Sequence, residues 1–312
     1  MKRVALFTHT ACLGHDTGPG HPECPDRLRA VLQALEHPDF VPLLREEAPA
    51  ATREQLARAH PARYVDAILA MRPDPGDMLA VDADTVVSYG TGEAILRGAG
   101  GAVAAVDAVM QGWANAAFAA VRPPGHHAEA AQAMGFCLFN NVAVAAHHAR
   151  ARWGLERVAV VDFDVHHGNG TQDIFEADAG LFYASSHQSP CYPGTGAASE
   201  HGVGNVFNAP LPPGADGPAF RAAWERTLLP ALEAFAPELL IVSAGFDAHL
   251  ADPLAELRVE TADFAWLTER LVAVAEAHCG GRIVSVLEGG YDLKALAASA
   301  GAHVRGLMQL AP

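Results

Sequence analysis

Five clusters of histidine, aspartate, glycine and tyrosine interrupt this chain, each directly after a short apolar run. The densest is Asp162-Phe163-Asp164-Val165-His166-His167-Gly168-Asn169-Gly170. In extended backbone the period of two turns Asp162, Asp164 and His166 the same way. Carboxylates and an imidazole gathered away from water need a cation, because unpaired buried charge is very costly. Asp164 and His166, joined by Asp247 from Ala244-Gly245-Phe246-Asp247, offer oxygen, nitrogen and oxygen donors. Three protein ligands with a position left open are what a catalytic zinc site uses, and iron(II) accepts the same set. A buried charge network around a satisfied core histidine is the plainer reading of a lone Asp-x-His. The other clusters tip the balance toward the metal.

His126-His127 follows Arg122-Pro123-Pro124-Gly125, a stiff approach that fixes the backbone of the pair. A histidine near its ordinary pKa can take a proton from water at neutral pH if a partner orients its far nitrogen. Asp162 and Asn169 are the candidates for that partner. Surface imidazoles in a first helical turn are the blander alternative. In Glu288-Gly289-Gly290-Tyr291 the glycines permit a tight turn close to a substrate, and the tyrosine can offer its O–H to a developing oxyanion.

The elements that must carry these residues alternate between strand and helix. Strands are expected at 4–7, 117–121, 158–163, 181–185, 239–244 and 283–287, and helices at 25–35, 92–111, 141–153, 218–236 and 261–278. The strand interiors are continuous apolar runs, the mark of strands covered on both faces. Such alternation predicts one α/β domain over 1–312, a mostly parallel, doubly wound sheet with helices on both faces. Segments 73–81 and 210–217 are expected to be surface connections. In an open parallel sheet the carboxyl ends of the strands face one crevice, so clusters at five strand ends should converge there.

Composition agrees with a packed enzyme. Of 312 residues 50% are hydrophobic and 18% charged, enough apolar content for a large core. Twenty-one basic against 36 acidic residues leave a net charge of −15, which repels a nucleic-acid backbone, so no direct nucleic-acid binding is expected. No apolar stretch reaches the ~18 residues a membrane span needs. The opening residues read as a buried strand rather than a signal peptide. Five scattered cysteines without a Cys-x-x-Cys pair suit a reducing cytoplasm.

Taken together, Arg122-Pro123-Pro124-Gly125-His126-His127, Gly135-Phe136-Cys137, Asn140-Asn141, the 162–170 cluster, Gly245-Phe246-Asp247 and Glu288-Gly289-Gly290-Tyr291 resemble the zinc-dependent histone deacetylase and acetylpolyamine amidohydrolase family. Gly18-Pro19-Gly20-His21-Pro22-Glu23-Cys24-Pro25-Asp26-Arg27 is similar to its N-terminal signature, so the likeness runs from near residue 9 to near 293. The resemblance implies the arginase/deacetylase fold and hydrolysis of an acetyl amide. It implies zinc on Asp164, His166 and Asp247, with His127 as base leaning on Asn169 and His126 leaning on Asp162. Tyr291 corresponds to the oxyanion tyrosine. Gly135, Phe136, Tyr192, Leu254 and Gly289 fall at the substrate channel. A structural potassium ion, bound largely through backbone oxygens, would lie at Asp162, Asp164, His166 and Ser185.

Three departures bear on activity. Asn169 is an amide where part of the family has a carboxylate, which lowers the pKa expected of the base. In Asp252-Pro253-Leu254 the last residue is apolar where polyamine-selective relatives place an acid. Acyl-lysine in peptides or proteins is therefore favoured over acetylpolyamines, the alternative small acylated amine substrates. Cys191-Tyr192 stands in place of paired aromatics. An arginase-like ureohydrolase is disfavoured, since Gly168 and, in Asp247-Ala248-His249, His249 stand where the carboxylates of a second metal would be needed. A silent acyl-lysine reader would not need the full set of catalytic residues. Oligomeric state is not legible from the sequence.

Overall fold

A computed structural model of the chain describes residues 2–309. Its strands are β1 (Val4–Thr8), β2 (Leu44–Glu47), β3 (Met78–Ala80), β4 (Val86–Ser88), β5 (Ala116–Ala119), β6 (Val158–Asp162), β7 (Leu181–Gln188), β8 (Val206–Leu211), β9 (Leu239–Ala244) and β10 (Ile283–Leu287). The helices are α1 (Pro25–Ala34), α2 (Arg53–Leu56), α3 (Ala62–Ala70), α4 (Thr91–Met110), α5 (Asn141–Trp153), α6 (Asn169–Phe175), α7 (Gly217–Ala223), α8 (Leu229–Phe235), α9 (Thr261–His278) and α10 (Leu293–Met308). Eight strands form one parallel sheet in the order β2-β1-β5-β10-β9-β6-β7-β8, and β3 pairs with β4 in a separate antiparallel hairpin.

The central strands β5, β10, β9 and β6 are buried along their whole length, as their continuous apolar sequences require. Helices α4 and α5 pack on one another over β1, β5 and β6, while α9 and α10 pack on one another over β5 and β9. Local signals fix the helix ends. The Asn140 side chain caps α5 by accepting from Ala143 N, and Gly154 ends it at φ 70°. Phe163 and Phe246, neighbours in sequence of candidate ligands, pack edge-on at 5.6 Å and both meet Phe264 of α9. Each ligand-bearing turn is thereby anchored in the core, where replacing a buried phenylalanine by alanine costs about 3–5 kcal/mol.

The structure differs from the sequence expectations in several places. The expected strand at 117–121 runs over Ala116–Ala119, and the strand at 181–185 continues to Gln188. Strand β6 stops at Asp162, because Asp162 Oδ1 accepts from Asp164 N and Asp164 Oδ1 from His166 N, local bonds that replace the ladder. Asp164 and His166 therefore sit on an irregular turn instead of a strand face. The helix expected at 218–236 is broken into α7, a widened turn at Trp224–Leu228, and α8, since Pro230 has no N–H to continue the ladder. The connection at 73–81 contains β3, and that at 210–217 contains the end of β8 and the start of α7. Strands β2, β3, β4 and β8 and helices α2, α3, α6 and α10 are absent from the sequence expectations.

Candidate active site

The turns after β5, β6, β9 and β10 meet at the carboxyl end of the sheet. Asp164, His166 and Asp247 are buried there with ligand atoms all within 4.8 Å of one another. His166 Nδ1 lies 3.1 Å from Asp164 Oδ1 and 3.1 Å from Asp247 Oδ2. Backbone N–H groups hold the carboxylates in place: Gly289 N donates to Asp164 Oδ2 at 2.8 Å and Val165 N to Asp247 Oδ1 at 2.8 Å. Burial and the neighbouring Asp164 push the Asp247 carboxyl up to about 7. Burial works against charge on His166, yet the two carboxylates hold its pKa well above the ordinary value. Two mutually repelling acids and an imidazole, buried with their ligand atoms close together, are a donor set that a divalent cation satisfies.

The histidine pair lies beside this cluster, its rings 4.0 Å apart. Glu288, on the turn after β10, fixes the approach by accepting from Gly125 N at 2.6 Å and His126 N at 3.2 Å. His126 Nδ1 donates to Asp162 Oδ2 at 3.0 Å. Burial lowers the His126 pKa, but Asp164 and Asp162 outweigh it and raise it to about 10. His127 Nδ1 is 2.8 Å from Asn169 Oδ1. Burial, aided by the positive potential of His126 and His166, puts the His127 pKa well below the ordinary value. Environment has thus split two adjacent imidazoles into a charged one and a neutral one.

A cavity of about 240 Å³ leads from solvent to this floor. Phe136 and Tyr192 form its walls, with Gly135, His127, His166, Tyr291 and Leu254 also lining it. Gly135 has φ 56°, and a Cβ there would stand 2.5 Å from His127 Cδ2, so only glycine fits. Phe136 is itself in the left-handed region at φ 69°, held by its N–H to Thr85 Oγ1 at 2.9 Å. Tyr291 lies under Arg27, whose guanidinium is 4.8 Å from its ring centre. Burial keeps the Tyr291 phenol well above its usual pKa, so its proton is retained for donation. Ser185 stands apart from the cavity: it is opposite Asp162 in the sheet, and its hydroxyl is bonded to His187 Nδ1 at 2.9 Å.

Residues 21–307 match the model of the histone deacetylase domain. The chain belongs to the histone deacetylase family. A histone deacetylase-like amidohydrolase of Pseudomonas aeruginosa is 41% identical over 93% of this chain and 82% of that protein. Histone deacetylase 14, chloroplastic, of Arabidopsis thaliana is 38% identical over 97% of this chain and 76% of its own length. The crystal structure of the HDA15 HD domain superposes with a TM-score of 0.92 at 36% identity, covering 99% of this chain and 89% of that one. As a histone deacetylase family member the protein is a hydrolase of amide bonds with the arginase/deacetylase fold.

Two residues of the deacetylase cavity escaped sequence reasoning. Asp84, on the turn of the β3–β4 hairpin, and Pro22 line the mouth. His21 Nε2 donates to Asp84 O at 3.0 Å and ties the hairpin to the N-terminal segment. Nothing in the spacing of Asp82-Ala83-Asp84 marks it as part of a site. The ureohydrolase alternative has no room: a Cβ at position 168 would stand 2.3 Å from Asp162 Oδ2 and 2.5 Å from the Tyr183 hydroxyl, so a second-metal carboxylate does not fit there. Among the described residues, Asp164, His166 and Asp247 are the group that can hold a metal.

Proposed function

We infer that this deacetylase-family hydrolase removes acetyl or other short acyl groups from lysine side chains of peptides or proteins, using one zinc ion at Asp164, His166 and Asp247. The observation that carries the reading is the buried O, N, O donor set at the floor of an aromatic-walled cavity, with His127 and Tyr291 both lining it. A bound zinc supplies Lewis acidity toward the amide carbonyl and toward water, and iron(II) would serve through the same donors. A structural potassium ion near Asp162, Asp164, His166 and Ser185 belongs to the same proposal; Asp162, the last residue of β6, is the register partner of Ser185 within β7.

The chain's own residues divide the remaining work. His127, neutral and tied at Nδ1 to Asn169, takes the proton of the attacking water at Nε2. Tyr291 donates its retained O–H to the oxyanion. The His126 imidazolium, fixed on Asp162, stabilises negative charge as it forms, and a protonated histidine of the pair then delivers a proton to the leaving amine. Phe136 and Tyr192 flank the acyl-lysine stem.

Leu254 at the mouth has no carboxylate to anchor a second ammonium, which favours a peptide over a polyamine. Asp84 also lines the mouth, its carboxyl pKa raised by burial and by the hydrogen bond to Asp82. A cytoplasmic setting fits five free cysteines.

A fluorogenic acetyl-lysine peptide, run with and without a chelator beside N-acetylputrescine, tests the reading. Chelator-sensitive release that is faster on the peptide is expected. A faster reaction on the polyamine would overturn the substrate class, and no release from either would favour a silent acyl-lysine reader.

A further inference from the structure

We propose that Glu129 is a positioning residue for the base, acting through Asn169 to dictate which ring nitrogen of His127 carries the proton; this rests on His127 being the base of the deacetylation above. Two bonds in series join the three residues. His127 Nδ1 is 2.8 Å from Asn169 Oδ1, and Asn169 Nδ2 donates to Glu129 Oε1 at 2.8 Å. Met134 Sδ lies 3.3 Å from the same Nδ2.

The side-chain amide of Asn169 has a donor end and an acceptor end, and by itself can show either to an imidazole. A carboxylate and a thioether can only accept. Glu129 and Met134 together therefore claim the NH₂ end and leave the oxygen for His127. That oxygen can only accept, so Nδ1 must hold the hydrogen. Nε2 keeps its lone pair on the side of the ring left free to serve the cavity. A carboxylate in place of Asn169 would fix the tautomer unaided; an amide needs this further partner.

The arrangement is rigid enough to do so. Glu129 N donates to Gln132 O at 2.9 Å, Ala128 N to Gly125 O at 3.0 Å, and Ala130 N to Asp173 Oδ2 at 2.9 Å. Glu129 follows His127 by two residues on this stapled segment, while Asn169 opens α6.

The test uses the metal-loaded enzyme, with steady-state kinetics on an acetyl-lysine peptide, thermal melting, and imidazole ¹⁵N NMR to read the His127 tautomer. Glu129→Gln retains an acceptor oxygen and is expected to keep kcat within about threefold. Glu129→Lys places a donor beside Asn169 and turns the amide round. Its kcat is expected to fall by about 100- to 10,000-fold, the worth of a positioned general base, with KM little changed and His127 protonated at Nε2. Adding Asn169→Asp to Glu129→Lys supplies a group with no donor end, paired to the lysine, and should recover at least about tenfold.

Wild-type kcat in Glu129→Lys, or an Nδ1–H tautomer persisting there, overturns the proposal. So does a kcat loss that tracks a lowered melting temperature with the tautomer unchanged. A tautomer switch in Glu129→Lys, in a protein whose wild type cleaves no acetyl-lysine peptide, supports the positioning role and overturns the deacetylase reading instead.

Discussion

Replacing Glu23 by glutamine removes one negative charge from the buried network that ties the N-terminal segment to both sides of the site. Glu23 accepts from Arg122 Nη2 at 2.7 Å and from Arg27 Nη1 at 3.0 Å, and all three side chains are fully buried. Arg27 also donates to Gly290 O at 2.6 Å, next to Tyr291. Burial pushes the Glu23 carboxyl up, but Arg122 and then Arg27 outweigh it and bring the pKa from 4.5 to about 2. That difference corresponds to about 3 kcal/mol of folding stability. Because the folded pKa is the lower one, the stabilisation is complete above pH 4.5 and is lost as pH falls toward about 2. With an unfolding entropy of about 2.1 cal/mol/K per residue, Glu23→Gln should lower Tm by about 5 °C at pH 7. Circular dichroism melts of both proteins from pH 7 to pH 3 provide the assay. The gap between them should narrow steadily below pH 4.5. A gap that is the same at pH 3 as at pH 7 would show that Glu23 is not held as an anion between the two guanidiniums.

Three further outcomes are expected. Tyr291→Phe should lose about 100- to 1,000-fold in kcat, the cost of one oxyanion donor, with metal content and melting temperature retained. Titrating zinc into metal-free protein should raise stability by about 4 kcal/mol at a free concentration a thousandfold above Kd, and Asp247→Ala should abolish that rise in a melting assay. Leu254→Glu should shift kcat/KM toward N-acetylputrescine relative to the acetyl-lysine peptide, by about fivefold for one exposed ammonium–carboxylate pair of about 1 kcal/mol; an unchanged ratio would show that position 254 does not read the distal end of the substrate.

The buried strands were legible because burial on both faces leaves a continuous apolar signature. Val158–Asp162, Leu239–Ala244 and Ile283–Leu287 carry it, and the polar turns that follow them announce a shared edge. Edge strands lack that signature. Leu44–Glu47 reads Leu-Arg-Glu-Glu and is mostly exposed, and Val206–Leu211 is broken by Asn208 and Pro210. Helix α10 was hidden by Gly301, His303 and Gly306, although Asp292 capping Lys294 N and Ala295 N was a usable start signal. The candidate ligands and the histidine pair declared themselves by residue type. Asp84 and Glu129 did not, since an acid in a loop is ordinary until the fold places it against an aromatic wall or an amide.

The floor of the cavity hangs from central strands locked into the Phe163, Phe246 and Phe264 cluster, whereas its mouth is drawn from the hairpin carrying Asp84 and the turn carrying Leu254. The two are nonetheless joined by backbone bonds: Asp252 accepts from Leu254 N at 3.0 Å and from Tyr291 N at 2.7 Å, so the lip turn also sets where the tyrosine at the floor begins.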